Sequence, residues 1–188
     1  MPRPARTDRA PQMIRVWDPF VRLFHWALAL SFAVAWVSAE HAEGLHAAAG
    51  YVAGALVLAR VAWGFAGPGY ARFAQFVRRP EAIAAYLRAI VQGSEKRFVG
   101  HNPAGGAMIL VLLAAMGATA ATGWLLTTDA FWGSTAAERV HSALADGVLV
   151  LVLAHLVGVA LASVRHRENL VRAMIFGVKR APDPGDVA

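Results

Sequence analysis

Residues 140–164 read VHSALADGVLVLVLAHLVGVALASV. This stretch is long and apolar enough for a membrane-spanning helix, which needs about 20 predominantly apolar residues. His141 and His155 interrupt the run fourteen residues apart. Fourteen residues make almost four helical turns, so both imidazoles project from nearly one face, about 21 Å apart along the axis. Ionisable groups inside a membrane span are costly and usually mark a pathway or a bound ligand.

Three other apolar runs have similar length, and the Gly67-Pro68-Gly69 break closes the second of them. Hydrophobic residues make up 57% of the 188-residue chain and charged residues only 16%, whereas soluble domains carry about a quarter charged residues. The pattern therefore predicts an all-α integral membrane four-helix bundle over residues 15–180. Its spans are expected at about 19–39, 45–65, 105–126 and 140–164.

The composition excludes several classes of site. The chain has no cysteine, which rules out disulfides, iron–sulfur clusters, thiolate-ligated haem and covalent haem attachment through cysteine. The formal charge of +6 does not predict nucleic-acid binding, because the basic residues cluster at the ends of apolar runs. Membrane orientation explains such a distribution better.

Basic residues mark one side of the membrane. They lie before or at the start of the first span, between the second and third, and after the fourth: Arg3, Arg6, Arg9, Arg15, Arg22; Arg72, Arg78, Arg79, Arg88, Lys96, Arg97; Arg165, Arg167, Arg172, Lys179, Arg180. The other two connections are mainly acidic. The positive-inside rule therefore predicts a multi-pass protein of the bacterial inner membrane with both termini in the cytoplasm.

The segments outside the spans give further expectations. Residues 1–14 are predicted to be a retained cytoplasmic tail rather than a signal peptide, because no apolar region with a cleavage site follows closely. Residues 80–91 form an amphipathic segment, which either lies along the cytoplasmic membrane surface or is a solvated connector. Residues 181–188 are predicted to be a disordered tail.

The predicted depths of the histidines in the membrane place them in two pairs. In this topology His25 and His155 lie towards the cytoplasm, whereas His46 and His141 lie towards the outside. Two bis-histidine sites are predicted from these pairs, with His41 as the rival to His46. His101 and His166, like His41, are otherwise expected at the surface, because they flank the spans.

Two b-type haems between the helices fit four imidazoles at two depths. Imidazole is a common axial ligand of haem iron, and four-helix bundles hold cofactors between facing helices. Zinc, copper or non-haem iron would favour ligands that converge at one depth. Small residues near the histidines (Gly50, Gly54 and Gly158) either let a flat macrocycle approach the backbone or permit close helix packing.

Four motifs in order resemble a known family. They are RVWDPFVRLFHWALALSFAVAW (15–36), LHAAAGYVAGALVLARVAWGFAGP (45–68), GHNPAGGAMILVLL (100–113) with TGW (122–124), and the stretch from 140 to 180. They resemble the prokaryotic cytochrome b561 family, which is related to the b-type cytochrome subunit of nickel–iron hydrogenase. The hydrogenase-type fifth span is missing, which argues against that subunit.

The resemblance implies a function and a set of binding residues. It implies a di-haem b-type cytochrome, with His25, His46, His141 and His155 as iron ligands, that carries electrons between membrane quinone and a periplasmic redox protein such as a c-type cytochrome. The alternatives are a quinone oxidoreductase that acts directly on a small molecule such as superoxide, and a membrane anchor or cytochrome subunit of a larger oxidoreductase complex. A homodimer is a further expectation.

Charged and polar residues beside the histidines receive supporting roles. Arg22 and Arg60 are expected either to bind haem propionates or to serve as interfacial charges that reach the cytoplasmic surface. Ser142 and Asp146 are candidates for tuning His141 or for handling quinone protons. The tryptophans are predicted to be membrane-interface residues rather than electron relays.

Overall fold

The structure, a computed structural model, describes residues 12–188. Residues 1–11, which include Arg3, Arg6 and Arg9 of the predicted cytoplasmic tail, lie outside the described residues. Four long helices dominate the chain, with short elements between and after them. The elements in chain order are β1 (Met13–Arg15), α1 (Pro19–Ser38), α2 (Glu43–Ala66), a 3-10 turn (Gly69–Ala71), α3 (Phe73–Phe76), α4 (Pro80–Gln92), α5 (Pro103–Leu126), α6 (Thr135–Arg165), α7 (Leu170–Phe176) and β2 (Val178–Arg180).

Helices α1, α2, α5 and α6 are each long and apolar enough to cross a membrane. Local sequence signals explain where they begin. Asp18 caps α1 by accepting a hydrogen bond from the Val21 amide at 3.1 Å, with Pro19 as the first helical residue. Asn102 and Pro103 start α5 in the same way. Helix α6 begins five residues before the predicted span because the Ser134 hydroxyl caps it.

The four-helix bundle is an open ring. Helix α1 packs along α2, α2 along α5, and α5 along α6, whereas α6 has no extensive packing contact with α1 or α2 in residues 12–188. A central apolar cluster joins the helices at mid-height and includes Phe24, Val57, Met116 and Val148. Val148 is fully buried and lies seven residues from both His141 and His155. An apolar layer therefore separates the two histidine levels.

The middle segment carries the amphipathic helix α4. Tyr86 is its buried residue and packs edge-to-face on Phe98, with 5.6 Å between ring centroids. Burial raises the pKa of the Tyr86 hydroxyl to about 12. Leu87 and Val91 are exposed, Val91 by 87% of its surface. Such an apolar face beside exposed arginines is typical of a helix that lies on a membrane surface.

Both ends of the described chain meet in a compact assembly, which we call the terminal platform (residues 13–17, 97–101 and 168–187). Strands β1 and β2 pair antiparallel, with Met13 opposite Arg180. The Val99 amide donates to the Val187 carbonyl at 2.9 Å, and the Val187 amide donates to the Arg97 carbonyl at 2.9 Å. The last residues of the chain are thus fixed between two segments that are distant in sequence.

A buried ion cluster holds the platform together. The Arg97 guanidinium pairs with Glu168 at 2.8 Å and also with Asp186, and the Lys179 ammonium lies 3.1 Å from Glu168. Burial alone would raise the pKa of the Glu168 carboxyl, but the hydrogen bond from Arg97 and the charge of Lys179 hold it below its usual value. The Glu168 carboxyl therefore stays ionised around neutral pH.

The platform differs from two expectations. Residues 181–188 were expected to be disordered, yet the structure packs them against Arg97 and Val99. The N-terminal tail was expected to extend to residue 14, yet Met13–Arg15 form a strand. The reason is that both segments are ordered by partners more than eighty residues away, which no local pattern reveals. The predicted four-helix membrane bundle is confirmed, with two short strands added at one end.

Candidate functional site

The four predicted histidines lie in two pairs inside the bundle. The rings of His25 in α1 and His155 in α6 have centroids 6.4 Å apart, and we call them the lower pair. The rings of His46 in α2 and His141 in α6 have centroids 6.0 Å apart, and we call them the upper pair. The lower pair is nearer the terminal platform. Each pair joins helices that share the central apolar cluster but have no extensive packing contact with each other within the described chain.

The ring separations suit one metal atom between two imidazoles. A metal–imidazole bond is about 2 Å long and the ring centre lies roughly 1 Å behind the nitrogen, so two ligands on opposite faces of one metal have centroids about 6 Å apart. Both pairs match this value. Among residues 12–188, no group of three or more histidine or acidic side chains could hold a metal ion. The candidate ligands therefore come as two separate pairs.

The glycines around the pairs differ in what surrounds them. A Cβ added at Gly50 or Gly158 would meet no described atom within 4 Å, so neither glycine is needed for helix packing among the described residues. A Cβ at Gly54 would lie 3.2 Å from Ala120, so Gly54 instead permits α2 and α5 to pack. Gly123, which the sequence argument did not single out, faces His141, and a Cβ there would lie 3.0 Å from the Cε1 atom of the imidazole.

Backbone carbonyls orient the upper pair. The Nδ1–H of His46 donates to the Ala35 carbonyl at 2.8 Å. The Nδ1 of His141 lies 3.1 Å from both the Thr119 carbonyl and the Thr122 hydroxyl oxygen. Because a carbonyl can only accept, these contacts place the proton on Nδ1 and leave the Nε2 lone pair for a metal. This arrangement is typical of metal-binding histidines.

Aromatic packing surrounds the lower pair instead. The Nδ1 atom of His25 is buried and has no hydrogen-bond partner among the described residues. The His25 ring packs edge-to-face on Trp26, with 5.1 Å between centroids. The two pairs thus share a ligand type and a spacing but differ in what holds the imidazoles.

Two arginines expected near the lower pair have different surroundings. Arg22 donates from Nη2 to the Ile175 carbonyl, so its guanidinium reaches the end of α7. Arg60 is only 2% exposed, donates from Nη2 to the Ala71 carbonyl at 3.1 Å, and lies 5.3 Å over the Phe73 ring. The Nε of Arg22 and the Nη1 of Arg60 are buried without a partner in the part of the chain that the structure describes. Each guanidinium group therefore has an N–H that can donate to a carboxylate.

Two further residues, His101 and Trp63, have buried ring nitrogens. Trp63, predicted to be a membrane-interface residue, lies in the last turn of α2, and no described residue accepts from its buried Nε1–H. His101, expected at the surface, packs between Trp17 and Phe76 with centroid distances of 4.5 and 4.8 Å. Burial, with the positive charges of Arg60, Lys179 and His155, lowers the pKa of His101 to about 3. The Asn102-Pro103 helix start beside His101 was the available signal that this histidine is fixed.

The other candidates lie at the surface. His41 is exposed in the loop before α2, so it is His46 whose ring meets His141. Ser142 and Asp146 are also exposed on α6. His166 is half-buried, and burial lowers its pKa.

Comparison with known proteins gives one match. A family model described as prokaryotic cytochrome b561 matches residues 16–177, which is most of the chain and includes all four histidines. No curated protein and no solved structure matches the chain.

Proposed function

Since this chain belongs to the prokaryotic cytochrome b561 family, it is a transmembrane b-type cytochrome of electron transfer, and we propose that it binds two haems through its two histidine pairs. The lower haem would be held by His25 and His155, and the upper haem by His46 and His141. The observation that carries the proposal is the matched spacing of the two pairs, 6.4 and 6.0 Å between ring centroids.

A haem ligated by two imidazoles supplies one-electron exchange at its iron and offers no open position for oxygen. The protein residues have the remaining tasks. His46 and His141 are held in one tautomer by the Ala35 and Thr119 carbonyls. The apolar cluster around Val148 keeps water out of the region between the two levels. Arg60, and Arg22 through its Nε, would donate to the propionates of the lower haem.

We further propose that the protein exchanges electrons between membrane quinone and a periplasmic redox protein such as a c-type cytochrome. In this proposal it lies in the bacterial inner membrane with both termini and the terminal platform in the cytoplasm. The arginines on α4 and after α6 support this orientation through the positive-inside rule. The upper pair then faces the periplasmic side.

Haem content tests the ligand assignment. His155→Ala should leave one haem per chain, because the upper pair does not use this residue. The matched control is His41→Ala, which removes an exposed histidine and should retain two haems. A His155→Ala protein that still carries two haems would overturn the pairing. Haem is measured against protein in the purified full chain.

The electron-transfer role has a separate test. The protein in vesicles should be reduced by quinol and then re-oxidised by an added c-type cytochrome on the side of the upper pair. Reduction by superoxide at a comparable rate, without a protein partner, would favour the small-molecule oxidoreductase instead. Haems that quinol never reduces would favour a membrane anchor. A homodimer is tested by the mass of the detergent-solubilised protein.

A further inference from the structure

The two histidine pairs have different electrostatic surroundings. We propose that the haem held by the lower pair has the higher reduction potential, so that an electron on this protein rests at the end of the bundle that carries the terminal platform. This inference rests on the proposed binding of two haems. It concerns only the order of their potentials, which the number of haems does not determine.

The upper pair favours the oxidised iron. Both of its imidazoles have Nδ1 hydrogen-bonded to a backbone carbonyl, at 2.8 Å for His46 and 3.1 Å for His141. A hydrogen bond to a carbonyl makes the imidazole a more basic ligand, and second-shell hydrogen bonds are one means by which proteins tune metal sites. A more basic ligand stabilises Fe(III) over Fe(II) and so lowers the reduction potential.

The lower pair has no such hydrogen bond for His25, whose buried Nδ1 meets no acceptor within residues 12–188. Its nearest buried cation by helix register is Arg60 of α2, about one helical turn towards the terminal platform. Arg60 is 98% buried, and Asp18, the acidic side chain that acts on its charge, lies beyond salt-bridge distance. Buried charges are normally paired, so this guanidinium is expected to have an anionic partner. A haem propionate supplies one.

The position of Arg60 along the bundle suits that role. The antiparallel contact of α1 and α2 sets His46 against Ala35 and Trp63 against Phe20. The same register sets Arg60 opposite Val21, four residues from His25, or about 6 Å along the helix towards the terminal platform. The unpartnered Nε1–H of Trp63 follows Arg60 by three residues and adds a neutral donor on the same side of α2.

A buried cation favours the reduced iron, because reduction adds one negative charge and Coulomb attraction is strong where water is excluded. The charges near the upper pair act less. Arg139 is exposed and bonds its own helix, so water and salt screen it. The positive end of α2 near His46 is countered by Glu43 in the first helical turn. The more basic imidazoles of the upper pair and the buried charge of Arg60 thus both give the lower haem the higher reduction potential.

Redox titration of the purified full chain, followed by haem absorbance, tests the order. The wild-type protein should show two one-electron waves. His25→Ala should retain the low-potential wave, and His46→Ala should retain the high-potential wave. The opposite assignment, or a single wave in the wild type, would overturn the inference. If the wild type binds fewer than two haems, or if both variants retain two, it is the proposed function that fails.

A second experiment tests the role of Arg60. Arg60→Gln should shift the reduction equilibrium of the high-potential haem about tenfold towards the oxidised form, about 59 mV for a one-electron couple, and leave the other haem unchanged. The control Arg88→Gln removes the same charge from an exposed position on α4 and should move neither wave. Arg60→Lys keeps the charge and should remain near the wild-type potential. If the reduction potential falls equally in Arg60→Lys and Arg60→Gln, or in neither variant, the electrostatic role of Arg60 is excluded.

Discussion

The four-helix bundle and the terminal platform are stabilised by different means. Along its length of 31 residues, α6 buries only Val148 completely. It packs along α5 and approaches α1 and α2 at the central apolar cluster and at the histidine pairs. The platform is the opposite, because its strands, its buried apolar residues and its ion cluster are in direct contact with one another. The bundle therefore has few buried side chains along α6, whereas the platform is tied together by direct contacts.

The largest effect is expected from haem removal. A ligand that binds only the folded state stabilises by about 4 kcal/mol at a thousandfold excess over its Kd. Extraction of haem should therefore speed amide hydrogen exchange in α6 and leave exchange at Val99 and Val187 in the platform unchanged. Equal acceleration in both regions would show that the platform is not independent of the bundle.

Loss of the Arg97–Glu168 ion pair should loosen the platform and leave the bundle unchanged. Arg97→Met leaves the buried carboxylate of Glu168 with a single cationic partner, and breaking a buried pair costs about 3–5 kcal/mol. Residues 181–187 should become sensitive to protease while the haem content stays at the wild-type value. The control is Arg180→Met, whose partly exposed pair with Asp183 is worth about 1 kcal/mol or less. Haem loss in Arg97→Met would contradict the separation of the two regions.

Acid should loosen the platform in a defined range. The pKa of His101 is lowered to about 3 in the folded protein from 6.5 when unfolded, so the unfolded chain binds the proton more readily. The stability that neutral His101 contributes is present above pH 6.5 and is lost as the pH falls towards 3. Hydrogen exchange of the platform should accelerate over this range, and His101→Phe should reduce the effect. Acceleration of the same size in the variant would assign the effect to other groups, such as the Glu168 carboxyl.

The smallest effect concerns the junction between α5 and α3, where Phe76 also packs on His101 of the platform. A Cβ at Gly106 would lie 2.6 Å from the Phe76 carbonyl oxygen, so Gly106→Ala should shift the backbone at a net cost of about 1 kcal/mol. Gly117→Ala in the same helix makes only an ordinary contact with Val57 at 3.6 Å and should gain about 0.5–1 kcal/mol from helix propensity. Thermal unfolding of both variants measures the difference. Equal melting temperatures would mean that this junction yields more easily than its geometry indicates.

The bundle was more predictable than the platform. Hydropathy and helix-start signals such as Asp18-Pro19 and Asn102-Pro103 are local, so the spans followed from short windows of sequence. The predicted depths paired His25 with His155 and His46 with His141, and the structure brings the same rings together. This was possible because antiparallel helices of known direction set the height of each residue along the bundle. Whether those pairs bind haem remains a prediction that haem content tests.

The platform and the surroundings of the histidines were not predictable in this way. Strand β1 pairs with β2 across about 160 residues of sequence, and Arg97 meets carboxylates more than seventy residues away. His101 looked like a loop residue until Trp17 and Phe76 enclosed it. Long-range contacts of this kind leave no periodic pattern in the chain.

Hydropathy and helical rise act over neighbouring residues, so the four spans, their alternating direction and the heights of His25, His46, His141 and His155 follow from local sequence. The packed structure was needed to show that carbonyls hold the upper imidazoles and that the chain ends form the terminal platform. It was also needed to show that Arg60 is buried, with no acidic side chain of the described residues within salt-bridge distance. Those features depend on which side chains meet after the helices pack. The two histidine pairs, alike in sequence, therefore differ in their chemistry only once the fold exists.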